Sequence, residues 1–139
     1  MSIEKRVYVV DDDAAVRRSL ERLLDAAGFQ PICYDNPMAF LEAVPRLSEG
    51  CVLLDVRMPT LDGLAVQAQL AKLGSSLPVI VITGQGDVQT AVRAMKAGAV
   101  DFIEKPFNDE LLIDAIEAAL TRSGRQQPGR EVFEAWQGH

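Results

Sequence analysis

Five short β-favouring runs alternate along this chain with five stretches of helical periodicity, and that alternation restricts the fold more than any other feature. The runs fall at residues 7–10, 29–34, 51–55, 78–84 and 99–104. After the first, Val16, Leu20, Leu23, Leu24 and Ala27 recur at helical spacing, with Asp13 as N-cap and Gly28 as stop. Asn36 followed by Pro37 is a cap with proline at the first helical position, opening a short helix to about residue 44 and a loop over 45–50. A third helix is expected over about 64–73. Asp87 caps a fourth, with Val88, Ala91, Val92 and Met95 as its apolar face and Gly98 closing it. Asn108 caps the last, which puts Leu111, Leu112, Ala115, Ile116, Ala119 and Leu120 inside and Asp109 and Glu110 in its first turn. Strand and helix in strict alternation predict an α/β, doubly wound parallel sheet with helices on both faces and right-handed crossovers.

The run from Cys51 to Leu54 is continuously apolar and ends abruptly at Asp55, with turn signals at Pro59 and Gly63. Such a run reads as a strand buried on both faces. A charge cannot lie along its body, so Asp55 belongs at its mouth. In open parallel sheets the functional crevice lies outside the carboxyl ends of the strands. The first strand ends at Asp11 and Asp12, the third at Asp55, the fourth at Thr83 and Gly84, and the fifth at Lys105 and Pro106. The second ends at Asp35, which a doubly wound order leaves at an edge. Each of these residues alone is equally a helix-start or solvated strand-end group. Together they set three carboxylates, a hydroxyl and an ammonium on one rim.

Carboxylates so gathered repel, by about 4 kcal/mol for two unit charges ~4 Å apart at an effective dielectric near 20. Lys105 can pair with one, and a divalent cation can bridge the rest. An all-oxygen, water-retaining site suits Mg²⁺ better than Zn²⁺. A carboxylate beside Mg²⁺ and a lysine is suited to phosphoryl transfer, because metal and ammonium neutralise the phosphoryl oxygens while the carboxylate attacks in line. Thr83 can hydrogen-bond one phosphoryl oxygen.

Composition removes other classes. At 139 residues the chain is one domain, able to bury roughly two-thirds of its unfolded surface. Its net charge of −6 argues against nucleic-acid binding by the chain itself. No apolar run approaches the ~20 residues of a membrane span, and Asp11–Asp13 interrupt any signal-peptide-like stretch, so a cytoplasmic location is expected. Cys33 and Cys51 lie in apolar runs and read as small buried hydrophobes with inert thiols. The single histidine is His139, the last residue, which excludes a histidine-based metal site or histidine-centred catalysis within this chain.

Val9-Val10-Asp11-Asp12, Leu54-Asp55-Val56-Arg57-Met58-Pro59 with Asp62-Gly63, Ile82-Thr83-Gly84 and Lys105-Pro106-Phe107 resemble the response-regulator receiver domain of two-component signalling. The likeness runs from about Val7 to Leu120. The stretches 82–88 and 94–107 are most similar to its FixJ-type subgroup. The resemblance implies a flavodoxin-like five-stranded sheet in the order 2-1-3-4-5. It makes Asp55 the phosphoacceptor, with Mg²⁺ held by Asp12, Asp55 and the Arg57 backbone carbonyl, and by Asp11 through water. It makes Thr83 the switch hydroxyl, Phe102 the aromatic that turns with it, and Lys105 a contact to the phosphoryl group, on a cis bond to Pro106. Arg57 and Gln85 fall at the variable positions that tune how readily water reaches the acyl phosphate. The implied partner is a sensor histidine kinase. A phosphorylation-dependent homodimer is implied through the face of the fourth helix, fifth strand and last helix, with Val92, Lys96 and Asp101 as contributors. For Val92, plain core packing is the alternative.

Two other readings compete. An aspartyl phosphatase resembling the haloacid dehalogenase family would carry a second Asp two residues after its nucleophile, and Arg57 stands there. A receiver-like module that is never phosphorylated is disfavoured by the intact acids, Thr83 and Lys105. The chain is thus expected to be a phosphoacceptor with at most slow self-dephosphorylation and not an enzyme that turns over. Residues 1–122 are assigned to the receiver and 123–139 to a linker or tail, with a short helix conceivable over 131–136. FixJ-type receivers usually precede a DNA-binding domain, and 17 residues are too few for one. A stand-alone receiver and a fragment cut in the linker both remain open.

Overall fold

The computed structural model describes residues 5–58 and 61–124, with side chains through Thr121. Pro59 and the expected tail and helix beyond residue 124, His139 included, lie outside the described residues. The elements are β1 (Arg6–Val10), α1 (Ala14–Ala26), β2 (Gln30–Tyr34), α2 (Pro37–Ala43), β3 (Cys51–Asp55), α3 (Gly63–Lys72), β4 (Val79–Thr83), α4 (Val88–Lys96), β5 (Asp101–Glu104) and α5 (Asp109–Gly124). The five strands form one parallel sheet in the order β2-β1-β3-β4-β5.

Alternation along the strands builds two cores. Val7, Val9, Leu53, Ile80, Ile82 and Ile103 point to one face, where Leu20 and Leu24 of α1 and Leu112 and Ile116 of α5 cover them. Tyr8, Val10, Val52, Leu54 and Val81 point to the other, under Phe40 of α2, Val66 and Leu70 of α3 and Ala94 of α4. Every residue of β3 and β4 is buried, as central strands covered on both faces require. Four helix starts follow the expected chemistry. Asp13, Asn36 and Asp87 each accept a backbone N–H of the first turn, and Asn108 does the same for Glu110 and Leu111. Asp62, for which no cap was expected, caps α3 in the same way.

Several local expectations are corrected. Val44–Arg46 forms a 3₁₀ turn, closing α2 where a loop was expected. Only Ala91 and Ala94 of α4 are buried, while Val88, Val92 and Met95 are 64%, 45% and 40% exposed. Small alanines let the helix sit close, and the larger residues, four and seven positions on from Val88, turn to its flank. Core packing is therefore not the role of Val92. Leu111 is likewise exposed, and the inward face of α5 is carried by Leu112, Ile116 and Ala119. β5 starts at Asp101, with Ala99 buried ahead of it. Cys51 is buried, but Cys33 is only half-buried, because β2 is an edge strand.

Candidate functional site

Because all five strands are parallel, their carboxyl ends share one rim, and chemistry gathers there. Asp11, Asp12 and Asp55 bring carboxylate oxygens within 4.8 Å of one another. Asp11 and Asp55 are buried and Asp12 is exposed. Lys105, at the end of β5 on a cis bond to Pro106, places Nζ 3.6 Å from Asp55 Oδ2 and 4.0 Å from Asp11 Oδ2. Those distances are ion-pair contacts, too long for hydrogen bonds. The other oxygen of each buried acid accepts a main-chain N–H, Asp11 Oδ1 from Asp13 at 2.9 Å and Asp55 Oδ1 from Arg57 at 3.1 Å.

The outstanding oxygen is Asp11 Oδ2, buried and without a hydrogen-bond partner. The Asp11 carboxyl is raised to about 6, chiefly by burial, with the neighbouring Asp55 and Asp12 charges acting in the same direction. The Asp13 N–H and the Lys105 ammonium oppose the rise without cancelling it. A buried acceptor with no donor, inside a ring of carboxylates under one lysine, is what a bound cation would satisfy. The donors are all oxygen, which selects a hard ion. The residues therefore fit a divalent metal of the Mg²⁺ class.

The close approach of α3 shapes the rim. Gly63 donates to the Val56 carbonyl at 3.0 Å, and a Cβ at Gly63 would meet Val56 Cα at 2.8 Å and Asp55 O at 3.0 Å. Glycine is what lets the helix start directly behind the acid. Thr83 closes β4, fully buried, with Oγ1 unpaired. Its carbonyl accepts from Lys105 N at 2.8 Å, which ties the ends of β4 and β5 together. Phe102 is not beside Thr83 in the interior. It is 39% exposed and lines a groove of about 270 Å³ with Val88, Val92, Met95 and Lys96. Gln85 is exposed on the β4–α4 loop, and Asp101 turns its carboxylate back to the N–H of Phe102. The Arg57 side chain leaves the rim for solvent and pairs with Asp87 Oδ2 at 3.7 Å. The Asp87 carboxyl is lowered, chiefly by its hydrogen bonds to Thr90 and then by the Arg57 charge.

Three contacts escaped the sequence. Glu104 Oε2 accepts from Gly86 N at 3.0 Å, bracing the β4–α4 loop from β5. Gln67 Nε2 donates to the Ala94 carbonyl, joining α3 to α4. Arg17 Nη1 donates to the Asp11 carbonyl at 2.8 Å. A glutamine within the apolar stripe of α3 was the one visible hint. The other two involve charged residues that read as solvated faces.

A 2-1-3-4-5 sheet with an acid cluster and a lysine at its carboxyl rim defines a flavodoxin-like α/β protein whose chemistry lies at the strand ends. The chain belongs to the response-regulator receiver domain family, whose model matches residues 7–117. It is 50% identical over 123 residues to the transcriptional regulatory protein FixJ of Bradyrhizobium diazoefficiens, covering 88% of this chain and 60% of that one. It is 47% identical over 124 residues to the response regulator protein TmoT of Ectopseudomonas mendocina, covering 89% and 56%. The crystal structure of FixJ-N superposes with a TM-score of 0.83 at 45% identity, over 86% of this chain and 96% of that one. Full-length FixJ from B. japonicum gives 0.85 at 48% identity, over 94% and 63%. The chain spans less than two-thirds of the length of these curated relatives. No helix among the described residues is long and apolar enough to cross a membrane.

Proposed function

We propose that Asp55 accepts a phosphoryl group from a phosphohistidine of a partner sensor histidine kinase. The observation that carries this is the placement of the Asp55 carboxylate 3.6 Å from Lys105 and within 4.8 Å of the Asp11 and Asp12 oxygens. An Asp55 oxygen forms the new O–P bond as the N–P bond of the donor breaks. The electron pair returns to the imidazole nitrogen, which takes a proton from solvent. Asp11, Asp12, Asp55 and the Arg57 carbonyl would hold Mg²⁺, which supplies charge neutralisation of the phosphoryl oxygens. Lys105 draws the remaining negative charge. Arg57 N–H keeps the carboxylate oriented.

Thr83 Oγ1, buried without a partner, is free to turn to a phosphoryl oxygen. Phosphorylation adds negative charge and acceptor oxygens at Asp55. As Thr83 moves, Phe102 turns inward and the face of α4, β5 and α5 changes. Val92, Lys96 and Asp101 then contribute to a phosphorylation-dependent homodimer that controls downstream, transcriptional output. The shift is limited by how differently the two states bind the phosphoryl group. Gln85 and the Arg57 side chain flank the path of water and set the acyl-phosphate lifetime. The protein acts in the cytoplasm as a phosphoacceptor and signal store. Arg57, where a phosphatase of the aspartyl type needs an acid, argues against turnover.

Incubation with a small acyl-phosphate donor and Mg²⁺ tests the reading. One phosphoryl group is expected on the parent chain, lost with chelation and lost in Asp55→Asn. Persistent stoichiometric labelling of the Asn variant at one site sinks the assignment.

A further inference from the structure

We propose that Arg17 is a positioning residue for the acid pair, holding Asp12 in the direction in which it meets a divalent cation. The proposal rests on the reading that Asp11, Asp12 and Asp55 bind Mg²⁺. Arg17 Nη1 donates to the Asp11 carbonyl at 2.8 Å. That oxygen belongs to the peptide joining Asp11 to Asp12, which is planar, so pinning the oxygen fixes the rotation of the whole unit. The next peptide, joining Asp12 to Asp13, is pinned by its own N–H, which donates to Asp11 Oδ1 at 2.9 Å. The Cα of Asp12 therefore stands between two immobilised planes. Those planes fix the Cα–Cβ bond on which its exposed carboxylate reaches the rim, where an oxygen lies within 4.8 Å of those of Asp11 and Asp55.

Arg17 is itself held. Its own N–H donates to the Asp13 carbonyl at 3.0 Å, and Asp13 caps α1 through Ala15 and Val16. On the other side, Asp11 N–H donates to the Tyr34 carbonyl of β2 at 3.2 Å. The guanidinium thus reaches back from the first turn of a capped helix to the carbonyl between the two acids. Half-buried and charge-assisted, this bond is of the stronger kind. Contacts of this outer type that orient a metal ligand typically change metal affinity by about tenfold or more when removed. Charge alone acts the other way. A cation near the site repels a second cation, so deleting Arg17 would tighten metal binding if its charge were all that mattered.

The test is titration of the ¹⁵N-labelled full chain with MgCl₂, followed by NMR. Arg17→Met is expected to weaken Mg²⁺ binding about tenfold, while phosphorylation by a small acyl phosphate returns to the parent rate once Mg²⁺ saturates. Unchanged or tighter binding in the folded variant overturns the proposal. Should Arg17→Met fail to fold, Arg17→Lys keeps the charge without the planar fork. It is expected to weaken binding in the same direction and by less, and unchanged affinity there overturns the proposal equally. Arg18→Ala, an exposed neighbour on α1, is expected to bind as the parent does. Equal weakening in that variant would show that the loss is not specific to Arg17 and refute the Arg17 contact. Asp12→Asn separates the two readings. If it loses Mg²⁺ while Arg17→Met does not, only the positioning role fails. If it binds Mg²⁺ as the parent does, the metal site fails and the role of Arg17 with it.

Discussion

Replacing Asp11 with Asn should stabilise this protein in the absence of divalent cations, and only above mildly acidic pH. Asp11 is 1% exposed, and its carboxyl is raised from 3.8 to about 6, chiefly by burial. A carboxyl raised on folding favours the native state most when protonated. That stability is fully present below pH 3.8 and is lost as pH rises through about 6. At about 1.4 kcal/mol per tenfold, the displacement corresponds to roughly 3 kcal/mol lost by pH 7.5. Asn keeps an oxygen for the Asp13 N–H and has no charge to bury, so the variant avoids the loss. The assay is urea unfolding of both chains with chelator at about pH 4 and pH 7.5, which cancels titrations common to both. The advantage of Asp11→Asn is expected to widen between those pH values by roughly 2–3 kcal/mol. Mg²⁺ at a hundred times its Kd should offset most of that advantage, since it stabilises the parent by about 2.7 kcal/mol. A difference independent of pH would refute the assignment of strain to the buried Asp11 charge.

Three further outcomes follow from packing. Gly63→Ala should destabilise by about 1–3 kcal/mol, because the added Cβ meets the Val56 and Asp55 backbone, and chemical unfolding measures it. Leu112→Ala should cost about 2–5 kcal/mol, while its exposed neighbour Leu111→Ala stays within about 0.5 kcal/mol; equal losses would contradict the orientation of α5. Thr83→Val should leave resting stability unchanged or slightly improved, since the buried hydroxyl it removes has no partner. The same variant should lose any change in gel-filtration behaviour caused by a phosphoryl mimic such as beryllofluoride.

Strand and helix order was legible in the sequence because it rests on local pattern. Continuous apolar runs mark strands covered on both faces, and Asp13, Asn36, Asp87 and Asn108 mark helix starts through hydrogen bonds that close within three residues. The meeting of Asp11, Asp55, Thr83 and Lys105 was also legible, because parallel strands end on one rim whatever their exact register. Side-chain direction was not. Val88, Val92 and Met95 carry a helical apolar period whether or not they face the sheet, and only the seating of Ala91 and Ala94 turned them outward. Leu111 and Leu112 are neighbours in sequence and opposites in burial, for the same reason of helix rotation. Arg17 on the Asp11 carbonyl and Glu104 on Gly86 lay beyond any reading of period or motif, since a long charged side chain can reach solvent or backbone equally well. Local chemistry thus dictated which elements form and which acids share a rim. Packing between elements decided which carboxylate oxygen is left buried without a donor, where each helix points its apolar residues, and which cation braces the backbone behind the site.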